Sequence, residues 1–446
     1  VAYNYINLGQ AKAQLAAMLG DAGEVYYQDA EIGIYIREAL RTWGAASMYW
    51  RERGVFSTTV NQPWYVLQTE LPALLGYTVT DTELMTEIQY QLLEPATGVS
   101  WTGTDQFTFQ QISDAIQRRR NQFLVETGAV LTEATSVITP LPFGRIPLAD
   151  SVIDVRRAAF QPAGGSTWNT LWREDEWSMG AFSAMTWPQN PGNPQVYSIA
   201  APPPLTLQLD PPPSLNGTLD LVTVNSGANL DPSVTVALGI PDDFAWVVKF
   251  GVLADLLGAD GLARDEDRSK YCMQRWQEGI QLARIYTSIM QLQVNDVPVY
   301  VCSLQELDSG SYAWQSTSGQ PVVGALAGLN LLALAGDGNN GGVPDGVYGV
   351  SADVVRRAPV PVNDGDLIQI GREDLENILR YAEHIAAFKM GGTEFHATDI
   401  HYEGFMRGAS LYNARLRANA RNFNVLKDRA SLEESRRPRR LEAVGA

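Results

Sequence analysis

The chain has 446 residues, 45% of them hydrophobic and eleven of them Trp. That is enough for roughly two to four domains of about 150 residues with sizeable cores. Its 33 Lys and Arg stand against 50 Asp and Glu, a net charge of −17, which opposes any large phosphate-gripping surface because nucleic-acid affinity rests on cationic contacts. Two cysteines, Cys272 and Cys302, form one bridge at most, so a disulfide scaffold is excluded and a reducing compartment is the simpler reading.

Residues 1–21 lack the basic start and continuous apolar core of a secretory signal. They predict a short amphipathic helix carrying Leu8, Leu15, Met18 and Leu19, stopped at Gly20. Asp29 to Trp50 predicts a strong helix, with Ile32, Tyr35, Ile36, Ala39, Leu40, Trp43 and Ala46 at three- and four-residue steps. After Gly54 a strand pair is expected across Gln62 to Leu71. Thr80, Asp81 and Glu83 form a helix start, and Glu94-Pro95 closes that helix. Thr104-Asp105 opens the next, Phe109 to Thr127, with Ile112, Ala115, Ile116 and Phe123 inward and Gly128 at its end. This helix repeats the earlier one: Ile36-Arg-Glu-Ala39-Leu40 aligns with Ile112-Ser-Asp-Ala115-Ile116, and Gly54 and Gly128 close the two copies.

From about Ile138 to Ala237 the texture changes to short strands, prolines and turns. Ile146 to Phe160 alternates as strands do, and Asn190-Pro-Gly-Asn-Pro is a loop. Pro202-Pro-Pro and Pro211-Pro-Pro must be extended or edge segments. Leu205 to Leu209 and Thr218 to Val224 are expected to form a hairpin. Val297 to Ile370 replays this pattern, with Leu329 to Leu334 in the place of Leu205 to Leu209 and Gly346 to Val350 near that of Thr218 to Val224. Ala335 to Gly346 reads as a long hairpin turn.

A helical hairpin ends each β region. In Gly371 to Ala418, Leu375, Ile378, Leu379, Ala382, Ile385 and Ala386 make one stripe. Gly391-Gly392 turns the chain, and a second helix carries Tyr402, Phe405, Ala409, Tyr412 and Leu416. Ile240 to Thr287 repeats it in register: Asp243 matches Asp374, Lys249-Phe250 matches Arg380-Tyr381, Gly261 matches Gly392 and Tyr271 matches Tyr402. The expected class is α+β, with internally duplicated helical units and helical hairpins and inserted antiparallel β segments. The expected segments are helix-plus-strand units at 1–100 and 101–190, a β insertion with the first hairpin at 191–296, a second such pair at 297–420, and a basic tail at 421–446.

Chemistry-bearing motifs are sparse. No P-loop, dinucleotide glycine fingerprint or Gly-x-Ser-x-Gly elbow occurs, so no cofactor is expected. His396, Asp399, His401 and Glu403 lack a ligand spacing that zinc sites use, and no metal is expected there. Arg118-Arg119-Arg120 fans around a helix, with a solvated face or a contact to an acid or a neighbouring subunit as its readings. Asp337 to Gly341 resembles a calcium loop without its closing glutamate and reads as a turn. Glu174, Asp175 and Glu176 between Trp172 and Trp177 offer the carboxylates that a hydrolase would need. Cys272 beside Met273 reads as a buried thiol, and no run reaches the ~18 apolar residues of a membrane span.

Two stretches resemble the head–tail connector (adaptor or neck) proteins of tailed bacteriophages. One is Asp29-Ala-Glu-Ile-Gly-Ile-Tyr-Ile-Arg-Glu-Ala-Leu-Arg-Thr-Trp43 with the strand at Tyr65 to Leu67. The other is Leu379-Arg-Tyr-Ala-Glu-His-Ile-Ala-Ala-Phe-Lys389-Met-Gly-Gly392, leading into the helix with Phe405, Ala409 and Tyr412. Over most of its length the chain is similar to phage virion proteins, and it departs from small adaptors in its length, duplicated units and β insertions. The resemblance implies a non-enzymatic virion protein assembled in the host cytoplasm as a homo-oligomeric, commonly dodecameric, ring. Its neighbours would be the portal protein and a tail or stopper protein, and DNA would pass through without sequence-specific binding, with no membrane contact. Arg436, Arg437, Arg439 and Arg440 are then expected to reach an acidic groove on the portal or an adjacent subunit. The competing reading is a tail, baseplate or receptor-binding module whose segments Ala200 to Pro213 and Ala335 to Gly346 contact a fibre or host glycan.

Overall fold

The computed structural model describes residues 5–72, 74–93, 106–140, 144–182, 190–200, 204–230, 234–261, 264–311, 313–337 and 340–414. The fold is α+β. The chain opens with α1 (Leu8–Met18), α2 (Asp29–Ser47), β1 (Arg51–Ser57), β2 (Trp64–Val66) and the single turn α3 (Leu67–Glu70). Next come α4 (Asp81–Leu92), α5 (Phe109–Thr127), β3 (Thr132–Ile138) and β4 (Arg145–Pro147). A β block follows: β5 (Val152–Pro162), β6 (Asn169–Arg173), α6 (Glu176–Phe182), β7 (Val196–Ala200), β8 (Thr206–Asp210) and β9 (Gly217–Asn225). The helices α7 (Ala245–Gly258) and α8 (Glu266–Ile285) close it. A second block has the same order: β10 (Ile289–Val294), β11 (Val297–Ser303), α9 (Leu304–Gly310), β12 (Val323–Ala327), β13 (Leu331–Ala335) and β14 (Gly349–Val355). It ends in α10 (Arg372–Ala387), α11 (Gly392–Ala397) and α12 (399–414).

Local chemistry sets these boundaries. Asn7, Thr80, Thr108 and Asp265 each accept a backbone N–H three residues on, satisfying a donor that the first helical turn leaves free. The cap of α5 is Thr108, whereas Thr104-Asp105 lies outside the described residues. Gly128 ends α5 at φ 61°, and Met48 ends α2 in the same left-handed conformation at φ 53°. Those caps correct the helix alignment by one turn: Ile32, not Ile36, is the counterpart of Ile112. Gly54 ends nothing, since it lies inside β1. Of the expected inward residues of α1, Leu8 and Leu15 are buried but Met18 is exposed.

The strands pair across the whole chain. One sheet has the order β1-β14-β10-β11-β12-β13-β2, the other β3-β9-β5-β6-β7-β8-β4. Every junction has the same sense in both: β11–β12 and β6–β7 are parallel and the rest antiparallel. The registers correspond as well. Ser57 pairs with Gly349 as Ile138 pairs with Gly217, and Glu52 pairs with Val354 as Glu133 pairs with Val222. A Cβ at Gly217 would sit 2.3 Å from the Phe160 ring, so that strand start admits only glycine. The molecule is thus one α+β unit present twice, with the second copy (α5, β3–β9, α7, α8) inserted inside the first (α2, β1, β2, β10–β14, α10, α12).

This pairing overturns three expectations. Gln62 to Leu71 is β2 followed by α3 instead of a strand pair. β8 and β9 do not form a hairpin, because β8 lies between β7 and β4 while β9 lies between β3 and β5. Ala335 to Gly346 is likewise a crossover, carrying the chain from β13 to the far side of the sheet. The helical hairpins do correspond, although burial in the second helix aligns one residue earlier than the sequence match: Arg275 and Gly279 fall on Phe405 and Ala409. One apolar core runs through both units, joining Val222 and Val224 of β9 to Trp64 of β2, Trp314 and Ala333 of β13. No helix among the described residues is long and apolar enough to cross a membrane.

Candidate functional site

Polar chemistry concentrates where one unit meets the other. In the helical layer, α2 of the outer unit faces α7 of the inserted one, and Lys249 Nζ donates to Glu38 Oε2 with both side chains buried. Arg41 Nη2 donates to Glu83 Oε1 at 3.0 Å and lies 3.9 Å from Glu87. Burial pushes Glu87 up to about 7; Lys249 opposes the shift and Glu38 reinforces it. Lys389 Nζ donates to Glu31 at 2.8 Å and to the Tyr26 carbonyl at 2.9 Å, 4.1 Å from the rings of Tyr26 and Tyr27. Arg275 is enclosed by Trp246, Phe250, Tyr381 and Tyr402, and donates to Glu278 at 3.0 Å and the Tyr381 hydroxyl at 2.7 Å.

A second cluster lies between the sheets. Arg157 of β5 donates to Asp220 of β9 at 3.2 Å, to Asp308 of α9 at 2.9 Å and to Gln315 Oε1 at 2.9 Å. Its guanidinium lies 5.7 Å from the Trp64 ring and 5.2 Å from that of Trp314. On one side of this cluster is a cleft of about 550 Å³ between the sheets, lined by residues of both units. Glu133 lines it, pushed up to about 7 by burial and then by the charge and hydrogen bond of Asp220. On the other side a groove of about 950 Å³ carries Arg156, Arg173 and Arg284 facing Glu306 and Asp308.

The residues nominated from sequence are placed differently. Arg436, Arg437, Arg439 and Arg440 lie outside the described residues. His396 pairs with Asp399 at 3.3 Å and His401 with Glu383 at 3.5 Å, so the two imidazoles have different partners. His384 is buried, with Tyr271 Oη 2.7 Å from Nε2 and Thr398 Oγ1 2.8 Å from Nδ1. Thr398 spends its proton on the Phe395 carbonyl, so Nδ1–H donates to Thr398 and Nε2 accepts from Tyr271. Burial, and next the charge of Arg275, push this imidazole down to about 3 and keep it neutral.

Asp175 caps the start of α6 by accepting from Ser178 N–H at 2.8 Å, and Glu176 lies 3.6 Å from Arg145, so the acidic triplet gathers no opposing acid. Asn340 N–H donates to Asp337 at 2.6 Å, closing a turn. The arginine run is not a solvated face. Arg118 and Arg119 converge on Asp255 of α7, Arg119 lies 5.1 Å from the Trp276 ring, and buried Arg120 donates to the Ala228 carbonyl at 2.8 Å. Both cysteines are free and buried. Pro212, Pro213, Val343 and Pro344 are buried, so the two proline- and glycine-rich segments are not freely projecting surfaces.

Sequence reasoning missed both buried clusters. Lys249 carried a usable signal, as the one charge in the first three turns of a helix otherwise apolar on every face, AWVVKFGVLADLLG. Asp220 in the apolar run of β9, LDLVTV, carried a similar one. No protein-family model matches the chain, and no curated protein matches it.

Proposed function

We propose that the chain is a structural virion protein, the head-to-tail connector (adaptor) ring of a tailed bacteriophage that joins portal to tail and gives DNA a passage. The observation that carries this reading is the interlocked duplication: one unit is threaded inside its own copy and fused to it by a common core and buried ion pairs. A chain that invests its interior charges in holding two equivalent bodies together suits repeated contacts between identical copies. The net charge of −17 favours release of DNA over retention in a lumen. In this role the protein works without turnover, in the virion neck, against the portal on one side and a tail or stopper protein on the other. Arg436, Arg437, Arg439 and Arg440 reach an acidic groove of the portal or an adjacent subunit. The resemblance implies a dodecamer; since each chain supplies its unit twice, half as many chains would present the same number of units.

A second reading, a tail or receptor-binding module, is favoured by Trp177, 90% exposed, and Trp172 beside it on β6 and α6. Electron micrographs of the purified chain separate the two. Closed rings support the connector, and extended trimers support the receptor binder. Deleting residues 431–446 should leave rings intact but abolish portal docking; unimpaired docking would reject the role given to the arginines.

A further inference from the structure

The cleft between the two sheets holds a carboxylate that the fold does not require. Asp220 on β9 has a side chain only 1% exposed. Its Oδ2 accepts from Gln315 Nε2 at 2.6 Å, Trp64 Nε1 at 3.2 Å and Arg157 at 3.2 Å. Its Oδ1 is buried and receives no donor. Glu133 beside it is a second carboxyl, able to donate only while it carries a proton itself. A buried acceptor left without a partner costs about 1–3 kcal/mol.

The duplicated sheet gives an internal control. Asp220 pairs with Thr135 and Ala159; at the same register in the other sheet Ala352 pairs with Gly54 and Leu292. Arg157 pairs with Val222, and its counterpart Ile289 pairs with Val354. The same topology therefore closes with an alanine and an isoleucine in one unit and with a buried ion pair in the other. The pair is an addition to the fold, made where Asp220 lines the cleft.

The chemistry of the lining restricts what fits. Both charged residues lining the cleft are acids, which disfavours anions. The charge of Asp220 is already met by Arg157, which weakens the case for a cation, and no group of three metal-binding side chains occurs among the described residues. The remaining polar lining consists of neutral amides and hydroxyls, Gln161, Thr135 and Ser318 among them, with Trp168 as an aromatic wall. A volume of about 550 Å³ falls in the range of small-ligand sites, and such sites favour the junction of two domains. Hydroxyl groups both donate and accept, as this lining demands.

We propose that the cleft binds a neutral polyhydroxylated ligand, a sugar of one or two rings, with one hydroxyl donating to Asp220 Oδ1 and an apolar ring face against Trp168. The test is titration of the full chain with glucose, galactose, N-acetylglucosamine and maltose, read by tryptophan emission and saturation-transfer NMR. At least one should bind saturably. Glu133→Gln gives Asp220 Oδ1 a permanent amide donor, and should weaken binding by about tenfold or more, the loss expected for a hydrogen bond to a charged acceptor. Trp168→Ala should weaken it too. Saturable binding of none of the four, or binding unchanged in both variants, would overturn the proposal. A saturable response to calcium chloride or to lysine alone would overturn it in favour of a cation site. Ring formation is read separately in the same samples, so this proposal and the connector reading fail independently.

Discussion

The two units share strand order, strand sense, register and a glycine at one matched position, yet their interiors differ in kind. The outer sheet hides Ile289 and Ala352 where the inserted sheet hides Arg157 and Asp220. Trp43 and Leu40 of α2 stand where α5 places Phe123 and Arg120, and all four are buried. Backbone pairing and turn chemistry are thus enough to specify this topology with either an apolar or a charged filling. The charges cluster on the faces that the units turn to each other, where duplication gives each side a different neighbour.

The largest effect should come from breaking the pair that bridges α2 and α7. Lys249→Met leaves Glu38 buried and uncompensated and should cost about 3–5 kcal/mol in denaturant unfolding. Adding Glu38→Leu should recover most of that loss. Next comes conversion of the inserted sheet to its counterpart. Arg157→Ile alone strands Asp220 and should cost about 3 kcal/mol. Arg157→Ile with Asp220→Ala, which reproduces the Ile289 and Ala352 filling, should cost less than the single change.

A smaller effect is pH-dependent. Glu133 binds its proton more tightly folded than unfolded, its value rising from 4.5 to about 7. Its contribution is therefore fully present below about 4.5 and lost as pH rises through about 7. Melting temperature should fall more between about pH 5 and pH 8 in the natural protein than in Glu133→Gln, and equal slopes would contradict this assignment. The smallest effect belongs to Arg118, whose side chain is 61% exposed: Arg118→Ala should cost less than about 1 kcal/mol. Arg119→Ala, which also loses the Trp276 contact, should cost more.

What could be read in advance follows from range. Thr80 capping α4, the stripe of α10 and Gly391-Gly392 are local signals, and each appears where the pattern puts it. The duplication was legible because local signals recur. Sheet pairing was not, because β1 meets β14 across most of the chain, and adjacent strands such as β8 and β9 resemble a hairpin until β5 and β3 claim β9. The helix alignment slipped one turn because Ile-x-x-Ala-Ile fits a 3.6-residue period at two phases, and only the matched left-handed caps, Met48 and Gly128, decide between them. Of the candidate site, Glu133, Asp220 and Arg157 sit on separate strands, and no spacing in the sequence announces that they converge.

The most direct test of the central claim is the mass of the purified full chain in solution across a dilution series. The account predicts a discrete species at a fixed multiple of 48.9 kDa that images as a closed ring. A particle of 48.9 kDa at every concentration would contradict it.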